Sequence, residues 1–293
     1  MWVSDRWRDF EVLAASDGER LERWGEYILI RPDPQVIWHS GRNHRGWKDY
    51  HARYHRSSKG GGSWEVRSLP EEWGISYGEL KFLVKPFSFK HTGIFPEQAA
   101  NWDWMMGLIS GRKKTREKVK ILNLFAYTGG ATIAAAKAGA NVTHVDSSKG
   151  MVGWARENAK VSSIPDNAVR WLVDDCPKFI EREIRRRNSY DAIILDPPSY
   201  GRGPKGEIWK LEDSIYDLLQ RLSLLLSPNP LFFILNAYTT GLQAATLKYM
   251  LEITIARPHG GSVYAEELGL PVDESGLILP CGAAGRVVFL NRQ

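Results

Sequence analysis

The chain has 293 residues, 43% of them hydrophobic, and a formal net charge of +5, a mildly basic balance that permits nucleic-acid binding without establishing it. It contains no run of eighteen apolar residues, its first six residues lack the apolar core of a secretory signal, and its two cysteines are too few for a disulfide framework or a metal site. These features predict a cytoplasmic protein that neither spans a membrane nor binds a metal.

Residues 1–90 are predicted to form a small β-rich domain, a candidate for binding the substrate or RNA. Residues 27–30 are a strand candidate that stops at two prolines, and residues 75–89 alternate well enough for one or two strands. Residues 58–63 are rich in glycine and serine, which predicts a flexible loop tip. We expect the chain to change character after this domain.

A basic segment lies within this domain, between residues 42 and 59. Its cations are Arg42, Arg45, Lys48, Arg53, Arg56 and Lys59, and the rings between them include His44, Trp47, Tyr50, His51, Tyr54 and His55. Aromatic rings beside cations can clamp an unpaired nucleic acid strand. Alternatively, the rings fill the core of the domain while the cations solvate its surface. The sequence does not decide between these two interpretations.

From residue 120 onward, apolar strands alternate with amphipathic helices. The predicted strands are 121–125, 142–145, 169–173, 190–195 and 231–235, and the predicted helices are 130–138, 149–161, 177–187 and 210–226. This alternation is typical of a doubly wound parallel sheet with right-handed crossovers. A helix with Pro96 in its first turn precedes them, and residues 262–267 and 285–290 are expected to close the sheet as an antiparallel pair. We therefore predict an α/β, Rossmann-like domain over residues 91–293.

The ends of the first three strands carry residues that suit a nucleotide-like ligand. Residues 125–130 combine small residues and glycine just before a helix, so a ligand can approach the backbone and the helix N-terminus. Asp146 ends the second strand and can accept both hydroxyls of a ribose. At the end of the third strand, residues 174 and 175 offer a carboxylate to an adenine amino group, and the Cys176 N–H can meet a ring nitrogen. The G-x-G-x-x-G pattern of dinucleotide sites is absent, which argues against NAD and FAD.

The fourth strand leads into Asp196-Pro197-Pro198-Ser199-Tyr200, the most informative segment of the chain. Open α/β sheets bind their ligands at this edge. The two prolines fix φ and remove two N–H donors, so a carboxylate, outward carbonyl groups and an aromatic ring can form a stiff acceptor pocket. Such a pocket suits a flat substrate with exocyclic N–H groups. Taken alone, the segment would suit a strand followed by a proline turn equally well.

As a set, these segments resemble the class I S-adenosylmethionine-dependent methyltransferases, and in particular the group that modifies cytosine C5 or guanine in large-subunit ribosomal RNA. The resemblance covers residues 90–290 and includes the segment 91–98. It implies the strand order 3-2-1-4-5-7-6 with the last strand antiparallel, and S-adenosyl-L-methionine as the cofactor. Asp146 would hold the ribose, Asp175 the adenine, and the turn 126–130 the methionine moiety. The implied cofactor-binding residues are His91, Phe95, Gln98, Phe125, Ala126, Tyr127, Thr128, Gly129, Asp146, Ser147, Asp174, Asp175 and Cys176.

The residue types of the site favour transfer to an exocyclic amine over transfer to cytosine C5. Methyl transfer from a sulfonium is an in-line displacement, so alignment of the nucleophile supplies much of the rate. Asp196 and the Pro197 carbonyl can accept two N–H groups while Tyr200 stacks on the ring. C5 chemistry needs a cysteine that attacks C6, and Cys281 is better explained as a small residue at a turn before the last strand. The predicted catalytic residues are Asp196, Pro197, Pro198 and Tyr200.

A glycine-rich loop follows this segment and is expected either to cover the substrate or to be a mobile surface loop. The predicted substrate contacts are Ser199, Arg202, Lys205 and Lys210, the last three as phosphate ligands. A base held in a duplex would have to be flipped out to reach Asp196.

Three functions are therefore weighed. The first is a methyltransferase that acts on a base in RNA, with ribosomal RNA as the leading candidate. The second is a methyltransferase that acts on a small molecule or a protein, which would share every cofactor residue. The third is a non-catalytic nucleotide-binding module, against which the intact Asp196–Tyr200 segment argues. Some members of the resembled group carry an N-terminal PUA-like domain that residues 1–90 do not resemble, and this leaves the RNA target open.

Overall fold

The computed structural model describes residues 1–57, 61–87, 90–112, 118–202, 208–239 and 241–289, and of Arg202 it describes only the backbone. The chain divides into two compact units. The N-terminal unit comprises Trp2–Ala100 and Leu268–Cys281, and the α/β unit comprises Met1, Asn101–Glu267 and Gly282–Gln293. The predicted division into domains at residues 1–90 and 91–293 stays a prediction.

The N-terminal unit is built from short strands, as its alternating sequence predicts. Its strands are β1 (Trp2–Val3), β2 (Phe10–Ser16), β3 (Glu19–Trp24), β4 (Tyr27–Pro32), β5 (Ala52–Arg56), β6 (Gly62–Val66), β7 (Trp73–Tyr77) and β8 (Leu80–Val84). Strands β2 to β6 form one sheet in chain order, and β7 and β8 form a separate hairpin. The turn between β2 and β3 is Asp17-Gly18, where both φ angles are positive (54° and 77°), as a tight hairpin turn requires.

The α/β unit contains the remaining elements, except that residues 99–100 of α1, 268–271 of β16 and 278–281 of β17 belong to the N-terminal unit. Several of these elements start or end within a residue or two of their predicted bounds. The helices are α1 (Ala99–Gly111), α2 (Gly130–Lys137), α3 (Lys149–Val161), α4 (Cys176–Arg185), α5 (Leu211–Ser223), α6 (Ala244–Leu251) and α7 (Arg257–His259). The strands are β9 (Lys120–Leu124), β10 (Asn141–Asp146), β11 (Val169–Val173), β12 (Ala192–Leu195), β13 (Tyr200–Arg202), β14 (Ile208–Lys210), β15 (Phe232–Ala237), β16 (Gly261–Pro271) and β17 (Ile278–Phe289).

The main sheet has the order β16-β17-β15-β12-β9-β10-β11 in this unit. Five strands are parallel, namely β11, β10, β9, β12 and β15, and β17 is antiparallel to β15. This arrangement confirms the predicted order 3-2-1-4-5-7-6 and the predicted α/β, doubly wound fold. The central strands are buried on both faces, which explains why they carry continuous apolar runs. In the part of the chain that the structure describes, every helix is too short or too polar to cross a membrane.

One helical stretch was not predicted. Residues 244–259 run from α6 through a π-helical turn, Glu252–Ala256, into α7. Leu247, Leu251 and Ile255 are each 0% exposed and recur every four residues, a spacing that would have predicted this helix. The helix packs closely on β17, because a Cβ atom placed on Gly285 would lie 2.4 Å from the Leu251 side chain.

Candidate active site

The turn that follows β9 has an unusual backbone. Phe125 and Tyr127 have positive φ angles of 54° and 51°, and Gly129 has a φ of 86°. Non-glycine residues seldom adopt this conformation, and such strain concentrates at binding sites. Backbone N–H groups of the turn are directed into the sheet: Phe125 N donates to the Cys176 Sγ at 3.3 Å, and Tyr127 N donates to Asp146 Oδ2 at 2.9 Å. The end of β10 and the start of α4 therefore hold the turn in place.

Two glycines allow the turn to pass close to two helices. A Cβ atom on Gly129 would lie 3.0 Å from the Ala155 Cβ, and one on Gly130 would lie 2.7 Å from the Trp102 ring. The Asn158 side chain, which is buried, donates to the Thr128 carbonyl at 3.0 Å. Trp102 and Asn158 were not anticipated as residues of the site, because their partners are distant in sequence.

Asp146 lies at the end of β10 and is half-buried. Its Oδ2 accepts from Tyr127 N and its Oδ1 from Ser148 N, at 2.9 and 2.8 Å. Burial raises the pKa of this carboxyl group above its usual value, although the two backbone hydrogen bonds oppose the shift. A carboxylate has about four acceptor positions, so each oxygen can accept a hydroxyl in addition to its backbone N–H. This pair of acceptor oxygens fits the two vicinal hydroxyls of a ribose.

The acids after β11 are already engaged in hydrogen bonds. Asp175 is the N-cap of α4, and its side chain accepts from Lys178 N at 3.0 Å. Asp174 accepts from Asp175 N and forms an ion pair with Arg182. The Cys176 thiol is buried, which raises its pKa well above the usual range, so it is a neutral packing group. Pro177 has no N–H and the Lys178 N–H is bonded to Asp175, so the Cys176 N–H is the one left at the start of α4 to meet a ring nitrogen. The roles of these three residues in binding adenine stay predictions.

The segment after β12 combines buried and exposed groups. Asp196 and Ser199 are half-buried, Pro197 is buried, Pro198 is exposed, and half of the Tyr200 surface is accessible (50%). The Pro198 carbonyl accepts from the Trp209 indole N–H at 2.8 Å. Ser199 accepts twice, from Leu211 N through its carbonyl at 3.1 Å and from the Thr239 hydroxyl through its Oγ at 2.7 Å.

Strands β13 and β14 pair antiparallel, and we call them the β13–β14 ribbon (Tyr200–Arg202 and Ile208–Lys210). The glycine-rich stretch was expected to be a loop from residue 201, but its described flanks are strands. Lys205 lies outside the described residues, and the Arg202 side chain is not described. Lys210 is exposed on β14. A phosphate-binding role for these three cations stays a prediction.

The upstream segment 91–98 belongs to the N-terminal unit. The His91 and Phe95 rings lie 5.5 Å apart, and Gln98 N donates to the Phe95 carbonyl. Burial, with the nearby Arg31 and Lys90 cations, lowers the pKa of His91 to about 4, so its ring is neutral at pH 7. That His91, Phe95 and Gln98 line the cofactor pocket stays a prediction.

The basic segment of the N-terminal unit differs from a nucleic-acid clamp. Trp47, Tyr50 and Tyr54 are each less than 9% exposed. Arg42 lies over the Trp47 ring at 4.5 Å and pairs with acids of its own unit. The acidic partners of this segment are Asp17, Glu19 and Glu65, which bind Arg42, Arg53, His55 and Arg67. The rings therefore fill the core, and a stacking role for these three aromatic residues is wrong.

Cys281 lies inside β17, not before it, which corrects the expected position. Its thiol donates to the Leu279 carbonyl at 3.4 Å, and burial raises its pKa well above the usual value. Such a thiol is poorly suited to nucleophilic attack. Within the described ranges, no group of three or more His, Cys, Asp or Glu side chains is placed to hold a metal ion.

Comparison with known proteins shows which proteins this chain is similar to. The family model described as S-adenosylmethionine-dependent methyltransferase matches residues 48–258. A crystal structure of the SAM-dependent methyltransferase from Agrobacterium tumefaciens superposes with a TM-score of 0.90 and 34% identity, covering 98% of this chain and 92% of that one. SMU.776, solved in complex with SAH, shares the fold with a TM-score of 0.73 and 18% identity, over 97% of this chain and 76% of that one.

Curated relatives match part of the chain. A protein of Shewanella frigidimarina named ribosomal RNA large subunit methyltransferase K/L is 30% identical over 170 residues, which is 56% of this chain and 22% of the relative. The chain thus spans about a quarter of the length of such relatives (22–24%).

Proposed function

This chain belongs to the family of S-adenosylmethionine-dependent methyltransferases, and we propose that it methylates a base in RNA, with ribosomal RNA as the first candidate. The observation that carries this proposal is the Asp196–Tyr200 segment, which places a carboxylate, a proline carbonyl and an exposed ring at the carboxyl edge of the sheet. The names of the ribosomal RNA methyltransferase relatives support RNA as the substrate class.

On the cofactor side, we assign the ribose to Asp146 and the methionine moiety to the turn 126–130. The bound cofactor supplies an electrophilic methyl group on a sulfonium. Asp146 orients the ribose through its two carboxylate oxygens, while the backbone hydrogen bonds from Tyr127 and Ser148 keep that carboxylate in place. Because the turn is already strained and tied to β10, its geometry does not have to be created when the cofactor binds.

On the acceptor side, hydrogen bonds within the segment narrow the choice of groups that bind the base. The carbonyl groups of Pro198 and Ser199 already accept from Trp209 and Leu211. Among the backbone carbonyls of the segment this favours that of Pro197, and we assign the exocyclic N–H groups to it and to the Asp196 carboxylate, with Tyr200 stacking on the ring. The buried and neutral Cys281 supports nitrogen over cytosine C5 as the acceptor atom.

A small-molecule or protein substrate is the second candidate. A cavity of about 140 Å³ lies beside Trp7 and Phe10, among the described residues of the N-terminal unit. Ligand pockets are usually about 300–1,000 Å³, so this cavity is small for a metabolite site.

The free cysteines Cys176 and Cys281 fit a reducing compartment, and we propose that the protein lies in the cytoplasm.

The test is transfer of a tritiated methyl group from S-adenosylmethionine to purified ribosomal RNA, run in parallel with a metabolite pool and a protein extract. We expect label in RNA, and nucleoside mass spectrometry then identifies the methylated atom. Asp196→Ala should lower transfer by about 100-fold or more, because the acceptor is no longer aligned, and should keep its affinity for S-adenosylhomocysteine (SAH).

Asp217→Ala is the matched control, since Asp217 is an exposed acid on α5 of the same unit. It should retain full activity. Label that appears in metabolites or proteins but not in RNA would overturn the proposed substrate class, and full activity of Asp196→Ala would overturn the assignment of Asp196.

A further inference from the structure

Trp209 contacts both halves of the proposed site. Its indole N–H donates to the Pro198 carbonyl at 2.8 Å. Its ring lies 5.9 Å from the Phe125 ring, at an angle of 40°. Phe125 begins the cofactor turn, and Pro198 belongs to the acceptor segment. One side chain therefore joins the turn to the acceptor segment.

The contact with Phe125 reaches the strained part of the turn. Phe125 has a φ of 54°, and its N–H donates to the Cys176 Sγ, next to the predicted adenine site. A small change in the backbone at this position moves the ring against which Trp209 packs. The turn and the indole are thus mechanically linked through packed atoms.

The pairing of the β13–β14 ribbon defines what Trp209 carries. Tyr200 pairs with Lys210 and Gly201 pairs with Trp209. Because side chains alternate along a strand, Tyr200, Ile208 and Lys210 share the face opposite Trp209. Tyr200 and Ile208 are 50% and 62% exposed. The face that carries Trp209 contacts Pro198 and Phe125, while the opposite face presents an aromatic, an aliphatic and a cationic side chain.

We propose that Trp209 is a positioning residue that couples the cofactor turn to the β13–β14 ribbon, so that a bound cofactor orders the face carrying Tyr200 and Lys210. The inference rests on the proposed function, because Phe125 is assigned to the cofactor and Tyr200 and Lys210 to the acceptor. It adds a coupling to that assignment: the acceptor binds more tightly when the cofactor is bound than when it is absent. By linkage, the acceptor strengthens cofactor binding by the same factor.

The first test needs no RNA. Amide hydrogen exchange of residues 208–210 is measured with and without SAH. In the wild-type protein, we expect SAH to slow exchange there, and in Trp209→Ala we expect this effect to be lost. Trp209→Phe keeps a ring against Phe125 but removes the N–H donor, so it should retain part of the effect and should fold normally.

The second test separates positioning from simple packing. Trp209→Phe should raise the KM for acceptor RNA about tenfold, the size of one lost hydrogen bond, with the SAH affinity within about twofold of wild type. Trp64→Phe is the matched control, since the Trp64 indole donates to the Phe87 carbonyl at 2.8 Å in the N-terminal unit. It should leave the KM and the exchange of residues 208–210 unchanged.

The outcomes distinguish this inference from the proposed substrate. If SAH orders residues 208–210 only when Trp209 is present, the coupling stands even when no RNA is methylated. If SAH has no effect on these residues in the wild-type protein, or the same effect in Trp209→Ala, the coupling is overturned while RNA methylation is untouched.

Discussion

Replacement of Asp146 by Asn is the sharpest test of the cofactor site. The two side chains have the same shape, but Asn has one acceptor oxygen where Asp has two. In the wild-type protein both oxygens are used, by Tyr127 N at 2.9 Å and by Ser148 N at 2.8 Å. The amide NH₂ group of Asn therefore faces one backbone N–H and offers no acceptor to one ribose hydroxyl.

The expected magnitude follows from these contacts. A hydrogen bond to a charged group contributes about 1.5–3 kcal/mol. The variant loses one such bond to the ribose, and its second bond to the ribose is made to a neutral oxygen instead of a charged one. We expect SAH to bind with about 3 kcal/mol less free energy, which is roughly 100-fold weaker. The free energy of unfolding should change little at pH 7, because the lost backbone bond is offset by removal of a buried charge.

The pH dependence of stability provides a second readout. Burial raises the pKa of Asp146 in the folded protein, so the native state holds this proton more tightly than the unfolded chain does. The stabilisation that wild type gains from this group is present at low pH and is lost as the pH rises through the raised pKa. The Asn variant lacks this component.

Calorimetric titration with SAH, together with urea denaturation, measures both effects. Asp166→Asn is the control, because Asp166 is exposed in the same unit, and it should bind SAH like wild type. If Asp146→Asn folds and binds SAH within about threefold of wild type, which is about 0.7 kcal/mol, the ribose assignment is refuted.

Three further predictions concern the fold. Gly129→Ala should lower the free energy of unfolding by about 1–2 kcal/mol and weaken SAH binding, because φ is 86° and the new Cβ meets a neighbour at 3.0 Å; Gly153→Ala, in open space on α3, should not destabilise in urea melts. Glu22→Gln should lower the free energy of unfolding by about 3–5 kcal/mol in the same assay, because it leaves the buried Arg20 and Arg31 without their carboxylate. Burial alone would raise the pKa of Glu22, but the two arginines outweigh burial and lower that pKa. Glu11→Gln is the control and should cost under about 1 kcal/mol, because the ion pair of Glu11 with Arg23 is partly exposed. Burial lowers the pKa of His144 to about 3, so the imidazole takes up a proton in the unfolded chain at a higher pH than in the folded protein. The free energy of unfolding should therefore fall as the pH drops below about 6.5, by about 1.4 kcal/mol per pH unit. His144→Gln should flatten this pH dependence in urea melts between pH 5 and 7.

Many sequence predictions for the α/β unit depend on local patterns, and the structure confirms its strand order. Continuous apolar runs followed by acids predict buried parallel strands and the edge at which the acids meet. The helix at residues 244–259 carried the same kind of signal in Leu247, Leu251 and Ile255 but was not recognised.

Other properties depend on partners distant in sequence, and local patterns do not contain them. The burial of Trp47 and Tyr50 depends on which strands cover them. The place of Cys281 inside β17 depends on how far a strand pairing continues.

The sequence by itself determined the order of the elements, the family and the set of acids at the strand ends, because hydrophobic periodicity and short motifs are local. Only the tertiary structure decided which hydrogen bonds those acids already make within the protein. It also decided that Trp209 contacts both the turn and the acceptor segment. The physical reason is that these contacts form between residues brought together by packing.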